Sequence, residues 1–282
     1  MEGGLVRLRE TLDKLTPSER RIAEYVLAHP ETMIRSSITR LAELSGGSPA
    51  AVIRLCKSLD FSGFQEFKLK VAGDFRDDAQ PAYTEITPHD SIENVMRCVS
   101  ANNIQSIRDT LSILDAAAVE RAVGALQRAR MIHFYGMGAS NLIAMDAQYK
   151  FLRINRTCFF SADPHLQIIS ATGMDPKDVA VCISYSGETA EIVSCMRHAK
   201  ERSATTISIT KPGRTTLSAM ADIPLFITST ENEIRMGATA SRIAQLNLID
   251  ILYLGVASGS YERSFKYLET SRRAVSEVKR RR

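Results

Sequence analysis

The chain has 282 residues, of which 44% are hydrophobic and 24% charged; this length suits two globular modules, and the composition excludes wholesale disorder. The formal net charge of +4 does not by itself indicate nucleic-acid binding, because residues 1–80 hold 12 basic and 12 acidic side chains and residues 262–282 alone carry a surplus of five positive charges. A nucleic-acid partner has to be inferred from local pattern instead.

The sequence shows no sign of a membrane span, a signal peptide or a set of paired cysteines. The longest apolar run, residues 246–257, is short and contains Asp250, so no membrane span is predicted. Residues 1–10 carry charges where a signal peptide has an apolar core, which favours a cytosolic protein. The five cysteines are scattered without a C-x-x-C pair, which predicts reduced, buried thiols and no metal site.

The first 75 residues predict helices only. Thr16, Pro17 and Glu19 have the spacing of a helix start with a capping box, and the His29-Pro30 pair is expected to end that helix. Further helices are predicted to begin near Ser36 or Ser37, at Ser48 and at Phe64. Gly46 and Gly47 are predicted to form a tight turn between the helix that begins near Ser36 or Ser37 and the helix that begins at Ser48. Two helices joined by such a turn are typical of a helix-turn-helix.

In a DNA-binding helix-turn-helix, the second helix enters the major groove with its first residues at the base edges. Arg54 would then reach a guanine edge or a phosphate, and Lys57 a phosphate. Residues 35–70 hold six basic and three acidic side chains, a modest surplus of the right sign. A helical packing or dimerisation module is the alternative. The predicted DNA-binding residues are Ser48, Ala50, Ala51, Arg54 and Lys57.

Residues 41–68 resemble the N-terminal domain of the RpiR family of regulators. The family's recognition helix is followed by the pattern G-F-x-x-F-K, which is met here at residues 63–68. Two positions depart from the family: Ala51 stands where Thr is usual, and Asp60 where Gly is common. The resemblance implies a double-stranded DNA operator as partner.

Residues 76–90 are polar, contain two prolines and show no periodicity, so they are predicted to link a domain of residues 1–75 to one of residues 91–282. Beyond residue 91 two helices lead into short apolar strands that alternate with helices, which predicts a parallel sheet covered on both faces. The predicted strands are Met131–Tyr135, Thr157–Phe160, Val179–Ser184, Thr205–Thr210 and Ile223–Ile227, and two longer helices are expected near residues 237–257 and 260–279.

Two loops, residues 136–140 and 184–189, follow predicted strands and precede predicted helices. The first is Gly-Met-Gly-Ala-Ser, whose glycines let backbone approach an anion. The second is Ser-Tyr-Ser-Gly-Glu-Thr, whose hydroxyls can donate to a phosphate. A dinucleotide site is the alternative, with Asp163 as its ribose-binding acid, but Asn141 occupies the place of the third glycine. No cofactor is therefore expected.

Residues 120–258 resemble the sugar isomerase (SIS) domain, a five-stranded α/β module that binds phosphosugars. The resemblance is carried by residues 134–140, 150–154, 178–189 and 241–246. It implies that Ser140, Ser184, Ser186 and Thr189 hold the phosphate, in loops that also contain Gly136, Gly138 and Gly187. The sugar would face Glu233 and His165, although His165 serves equally well as a capping or packing residue.

The predicted fold is an all-α helix-turn-helix domain followed by an α/β SIS domain. The predicted function is a non-enzymatic DNA-binding regulator of sugar metabolism genes, whose operator affinity responds to a phosphosugar. A homodimer or homotetramer on a palindromic operator is expected. The alternative is a phosphosugar isomerase or lyase with an accessory helical domain; its candidate acid–base residues are Glu188, Glu191, Glu233 and His165.

Overall fold

The computed structural model describes residues 3–74, 86–229 and 238–280, with the side chains of residues 277–280 left aside. Within these ranges the chain forms two compact units. The first takes the chain up to Leu114 together with Lys211–Arg214 and Phe226–Ser241; the second takes Asp115–Thr210, Thr215–Leu225 and the chain from Arg242 onward. Most of the predicted linker lies outside the described residues.

The first unit is helical, as predicted. Pro30, expected only to end a helix, also begins the next one, because proline suits the first helical turn. Its helices are α1 (Gly4–Thr11), a short 3-10 helix (Leu12–Lys14), α2 (Pro17–Ala28), α3 (Pro30–Arg35), α4 (Ile38–Leu44), α5 (Pro49–Ser58), α6 (Phe64–Gly73) and α7 (Ile92–Ile113). Helix α7, predicted with the second domain, clusters with this unit, where Arg7 of α1 donates to the Ile113 carbonyl at 3.4 Å.

The predicted capping box at the start of α2 is confirmed. The backbone N–H and the hydroxyl of Thr16 donate to the Glu19 carboxylate at 3.0 and 2.6 Å. Burial raises the pKa of Glu19, but these bonds and one from Ser58 outweigh it, and the net pKa lies below the ordinary value. The box therefore ties the start of α2 to the last turn of α5.

The second unit alternates strands and helices. It contains α8 (Ala116–Arg128), β1 (Ile132–Gly136), α9 (Ala139–Arg153), β2 (Cys158–Phe160), α10 (Pro164–Thr172), β3 (Val179–Ile183), α11 (Ala190–Glu201), β4 (Thr205–Thr210), α12 (Thr216–Met220), β5 (Ile223–Phe226, whose last residue is grouped with the first unit), α13 (Thr239–Ser258, mostly in this unit) and α14 (Tyr261–Arg280). All five predicted strands are confirmed to within one residue at each end.

The five strands form one sheet in the order β2-β1-β3-β4-β5, with the described pairs parallel. The chain therefore winds outward from β1 in one direction to β2 and in the other to β3, which makes the gap between β1 and β3 a topological switch point. In their pairing Gly136 lies opposite Ile183. The loops after these two strands consequently leave the same edge of the sheet side by side.

Helices cover both faces of the sheet, as right-handed crossovers require. One face packs against α10, α11 and α12 through a core that includes Tyr135, Cys182, Cys195 and Leu217. On α9 the ring of Phe151 lies 5.5 Å from that of Phe134 on β1 and 5.9 Å from that of Tyr253 on α13. All five cysteines are free thiols; four are buried as predicted, whereas Cys158 is only half-buried.

Helix length and side-chain chemistry bear on two other classes of protein. Within the described residues no single helix is long and apolar enough to span a membrane, and only the pair α13 and α14, which is bent by 109°, is so when both helices are taken together. The same residues contain no cluster of three or more His, Cys, Asp or Glu side chains placed to hold a metal ion.

The end of β1 is anchored by Gln167, a buried side chain on α10. Its amide oxygen accepts from the Gly136 N–H at 3.2 Å, and its amide nitrogen donates to the carbonyls of Gly136 and Ser161 at 3.0 and 2.9 Å. Asn141 donates to the same Gly136 carbonyl at 2.9 Å. Backbone groups that would otherwise be buried without partners are thereby satisfied where the first loop begins.

A second polar cluster lies at the start of β1 and β3. The buried Asp178 carboxylate accepts from Arg130 at 2.6 Å and lies 3.7 Å from Nε2 of His133, whose Nδ1 is 3.2 Å from the Tyr135 hydroxyl. Burial lowers the pKa of His133; Asp178 opposes this effect and Arg130 adds to it. The net shift is downward, so the folded protein favours the neutral imidazole.

Replacing Gln167 by Met should lower the free energy of unfolding by about 2–4 kcal/mol, because the volume is kept while buried backbone groups lose their partners. Urea denaturation followed by circular dichroism measures the change. Leu166→Ala, at the exposed neighbouring position, is the control and should change stability little. Equal stability of the wild type and Gln167→Met would contradict the anchoring role.

His133→Asn should make stability less sensitive to acid. The unfolded histidine binds its proton near pH 6.5, and the buried one only at a lower pH, so acidification favours the unfolded wild type. We expect wild type to lose more unfolding free energy than His133→Asn when the pH falls from about 7.5 to about 5.5. His165→Asn, at an exposed site, should behave like wild type. Parallel pH profiles of wild type and His133→Asn would refute this prediction.

Candidate functional site

The loop after β3 gathers three hydroxyl groups. The Ser184 hydroxyl lies 2.8 Å from that of Thr189 and 3.3 Å from that of Ser186. Ser184 Oγ also accepts from the Gly187 N–H at 3.2 Å, and Ser186 Oγ from the Glu188 N–H at 3.3 Å. Each O–H can rotate away from its neighbour to donate to an oxyanion, so the cluster offers three convergent donors without a fixed cation.

Gly187 gives this loop its shape. Its φ of +70° lies in the left-handed region, and a Cβ there would stand 2.2 Å from the Thr215 hydroxyl oxygen. Both features exclude a side chain at this position. The capping box at the start of α12, in which Thr215 is the N-cap, therefore sets one wall of the loop.

The loop after β1 brings up Ser140 in the first turn of α9. Gly138 caps this helix with a φ of +55°, and Gly136 is held by Gln167 as described above. The buried Ser140 hydroxyl lies 3.2 Å from the amide nitrogen of Gln245 on α13. An anion bound at Ser140 would compete with Gln245 for this hydroxyl.

The two loops thus leave the sheet side by side at the switch point. Gly136 and Ile183 are paired immediately before the loops, and both loops run into helix N-termini, where the helix dipole favours an anion. The arrangement suits a phosphate monoester held by hydroxyl and backbone donors. The role of each residue in binding stays a prediction.

The structure shows the surroundings of three further candidate residues at this edge: Glu188, Asp163 and His165. Glu188, placed by the sequence in the first turn of a helix, lies before α11, and its carboxylate accepts from the backbone and hydroxyl of Thr216 at 2.9 and 2.5 Å. This carboxylate is therefore engaged at the start of α12. Asp163 caps α10 by accepting from the N–H groups of His165 and Leu166, and His165 itself is exposed. Glu233 lies outside the described residues.

Sequence reasoning missed Gln167, Gln245 and Thr215. Gln167 and Gln245 are polar residues on the buried faces of their helices, at 1% and 2% exposure, and that position within an apolar stripe was the available signal. Asn141 was considered only as a missing glycine, whereas its side chain supports the first loop. Nothing in the sequence near Gly187 indicates its contact with Thr215, which is 28 residues away.

In the first unit, α4, a turn and α5 have the expected geometry. Ser37 and Ser48 cap the two helices by accepting from the N–H groups of Arg40 and Ala51, and Pro49 begins α5. Gly46 in the turn has a φ of +65°. One side of α5 is buried in the core of this unit through Ala51, Val52, Leu55 and Cys56.

The opposite side of α5 is exposed and carries most of the predicted DNA-binding residues. Ser48, Ala50, Arg54 and Lys57 are all exposed, and Lys57 donates to the Ser62 carbonyl at 2.9 Å. Ala51 is 1% exposed, so its methyl group packs in the core. The prediction that Ala51 contacts DNA is therefore corrected: its side chain is a packing residue.

The G-F-x-x-F-K pattern is structural. Phe64 and Phe67 are buried, and the Phe67 ring stacks on that of Phe61 at 5.5 Å. Glu66 accepts from the backbone and hydroxyl of Ser62, and these bonds lower its pKa. Lys68 donates to the Ser36 carbonyl at 3.0 Å. The pattern therefore fixes α6 against the helix-turn-helix.

Asp60 ends α5 in a left-handed backbone conformation. Its φ is +60°, and the Phe61 N–H donates back to the Cys56 carbonyl at 2.9 Å, as in a Schellman helix end. Glycine adopts this conformation without steric cost, whereas aspartate tolerates it.

Comparisons with known proteins match both halves. Residues 2–78 match the family model described as "Helix-turn-helix domain, rpiR family", and residues 125–255 match that of the SIS domain. The uncharacterized HTH-type transcriptional regulator YbbH of Bacillus subtilis is 43% identical, with 98% of both chains covered. The HTH-type transcriptional regulator HexR of Pseudomonas aeruginosa is 35% identical, over 91% of this chain and 90% of its own.

A solved structure has the same overall fold. The Vibrio vulnificus NanR protein, complexed with ManNAc-6P, aligns with a TM-score of 0.62 and 25% identity over 98% of both chains. The two relatives named above are transcriptional regulators by name, and they align with this chain over 98% and 91% of its length, the chain in which the helix-turn-helix and SIS models match. The chain belongs to the RpiR family of transcriptional regulators, with an N-terminal helix-turn-helix and a C-terminal SIS domain.

Proposed function

We propose that this regulator binds a phosphorylated sugar between the loops at residues 136–140 and 184–189, and that occupancy changes its affinity for an operator. The observation that carries the proposal is the cluster of Ser184, Ser186 and Thr189 hydroxyls, in a loop that leaves the sheet next to the loop that carries Ser140, at the switch point. Support from outside the chain comes from NanR, a protein of similar fold whose structure contains ManNAc-6P.

The DNA-binding half of the proposal assigns α5 to the major groove, with Ser48, Ala50, Arg54 and Lys57 facing the operator. These residues share the exposed side of the helix, opposite the buried side that packs the core. A homodimer or homotetramer would present paired helices to a palindromic site with half-sites about one helical turn apart. This assembly would work in the cytosol, where bacterial operators lie.

The isomerase alternative would need a carboxylate or histidine aimed at the sugar. Glu188 is engaged with Thr216, while Glu191 and His165 are exposed. The relatives named above, which are transcriptional regulators by name, align with this chain over 98% and 91% of its length. A sensor needs only to bind the phosphosugar, and for binding the hydroxyl and backbone donors of the two loops would be enough.

Ser140→Ala combined with Ser184→Ala should leave operator binding intact and abolish the response to the effector, because two of the phosphate donors are lost. Operator fragments selected from random DNA by the purified protein would be titrated by fluorescence anisotropy. Hexose, amino-sugar, pentose and sugar-acid phosphates would be tested as effectors. The control is Ser258→Ala with Ser276→Ala, exposed serines on α13 and α14 whose hydroxyls bond carbonyls of their own helices. A wild-type response from the first double variant would reject the assigned loops.

Arg54→Ala should weaken operator binding by about tenfold or more if its guanidinium contacts a base edge or phosphate. The dependence of affinity on salt should also become shallower if the contact is to a phosphate. Arg20→Ala on α2, an exposed arginine paired with Glu24, is the control and should leave affinity nearly unchanged. Unaltered affinity of Arg54→Ala at fixed salt would show that α5 does not read the operator as proposed.

A further inference from the structure

Helix α1 carries two side chains that hold the segment after β5. The Arg7 guanidinium carbon lies 5.5 Å from the ring centroid of Phe226, the last residue of that strand. The Glu10 carboxylate accepts from the Thr228 hydroxyl and, at 3.3 Å, from the Ser229 N–H. These residues all belong to the compact unit that contains the helix-turn-helix. Residues 226–229 therefore contact α1 through the Arg7 guanidinium and the Glu10 carboxylate.

Helix α7 also binds residues 226–229 by a hydrogen bond. The Thr228 N–H donates to the Thr110 hydroxyl at 3.1 Å, and Thr228 is only 2% exposed. Arg7 in turn donates to the carbonyl of Ile113 at the end of α7. Because the segment makes polar contacts that depend on direction, a change in its path would break specific bonds.

The same arginine also contacts the end of the predicted recognition helix. Its guanidinium carbon lies 5.6 Å from the ring centroid of Phe61, whose N–H closes the C-terminus of α5. Burial raises the pKa of the neighbouring Asp60, and the positive charges of Arg7 and Arg214 act against that rise. Arg7 is thus shared between the C-terminal end of α5 and the strand exit at Phe226.

The strand exit is also linked along the chain to the candidate effector site. The run Phe226–Ser241 leads from β5 into α13, and α13 carries Gln245, which contacts the Ser140 hydroxyl. A phosphate at Ser140 would compete for that hydroxyl and so alter the partner of α13. The chain thus connects Gln245 to the segment held by α1.

We propose that α1 transmits effector occupancy to the DNA-binding helices, with Arg7 and Glu10 as the coupling residues. This proposal rests on the proposed function of the two loops. In it, α1 contacts both residues 226–229 and Phe61 at the end of α5, so an effect of ligand binding that displaced residues 226–229 would change the support of α5. Neither residue needs to touch the effector or the operator.

The experiment compares Arg7→Met and Glu10→Gln with wild type in the full-length protein. The control is Arg9→Met, which removes an exposed arginine from the same helix. Two quantities are measured: operator affinity with and without the phosphosugar that changes it most in wild type, and phosphosugar affinity by calorimetry. Helical content and melting temperature show whether each variant folds. If Arg7→Met does not fold, Glu10→Gln still tests the proposal, because it leaves both ring contacts of Arg7 in place.

We expect both coupling variants to bind phosphosugar as wild type does and to bind the bare operator within about threefold of wild type, since neither residue is placed at a ligand. The factor by which phosphosugar changes operator affinity should fall towards one in both variants and stay at its wild-type value in Arg9→Met. A full wild-type factor in the coupling variants, even with a lowered melting temperature, would overturn the proposal. If wild type itself bound no phosphosugar or gave no response, the proposed function would fail instead.

Discussion

The parallel pairing of β1 with β3 is the constraint on which the candidate effector site depends. Because Gly136 and Ile183 are partners in register, the residues that follow them leave the sheet at the same height and side by side. Two stretches more than 40 residues apart in the sequence become one surface lined by hydroxyls and glycines. A shift in this register would separate Ser140 from Ser184, whatever the composition of either loop.

Buried polar side chains keep that edge in shape. Gln167 satisfies both backbone groups of Gly136, and Thr215 fills the space that only a glycine at 187 leaves open. At the other end of the same strands, Asp178 joins Arg130 and the neutral His133. Polar groups are costly to bury without partners, so the bonds that Gln167 makes to Gly136 and that Arg130 makes to Asp178 favour one arrangement of these strands and loops.

Local patterns predicted much of this structure. Helix starts at Pro17, Ile38, Pro49 and Phe64 followed from caps and prolines, and the five strands followed from short apolar runs between helical stretches. What the sequence could not indicate are contacts between distant positions. The burial of Ala51 depends on which side of α5 meets the core, and the engagement of Glu188 depends on α12 lying beside the loop. Periodicity describes one element at a time and carries no information about such neighbours.

Hydrogen–deuterium exchange of the full-length protein, with and without a saturating phosphosugar, tests the central claim most directly. A phosphate held by the two loops should slow exchange of the backbone N–H groups in residues 136–140 and 184–189, because ligand contacts and ordering of the helix starts both protect them. Slower exchange in both segments is the predicted result. Binding that protects other parts of the chain and leaves both segments unchanged would contradict the account.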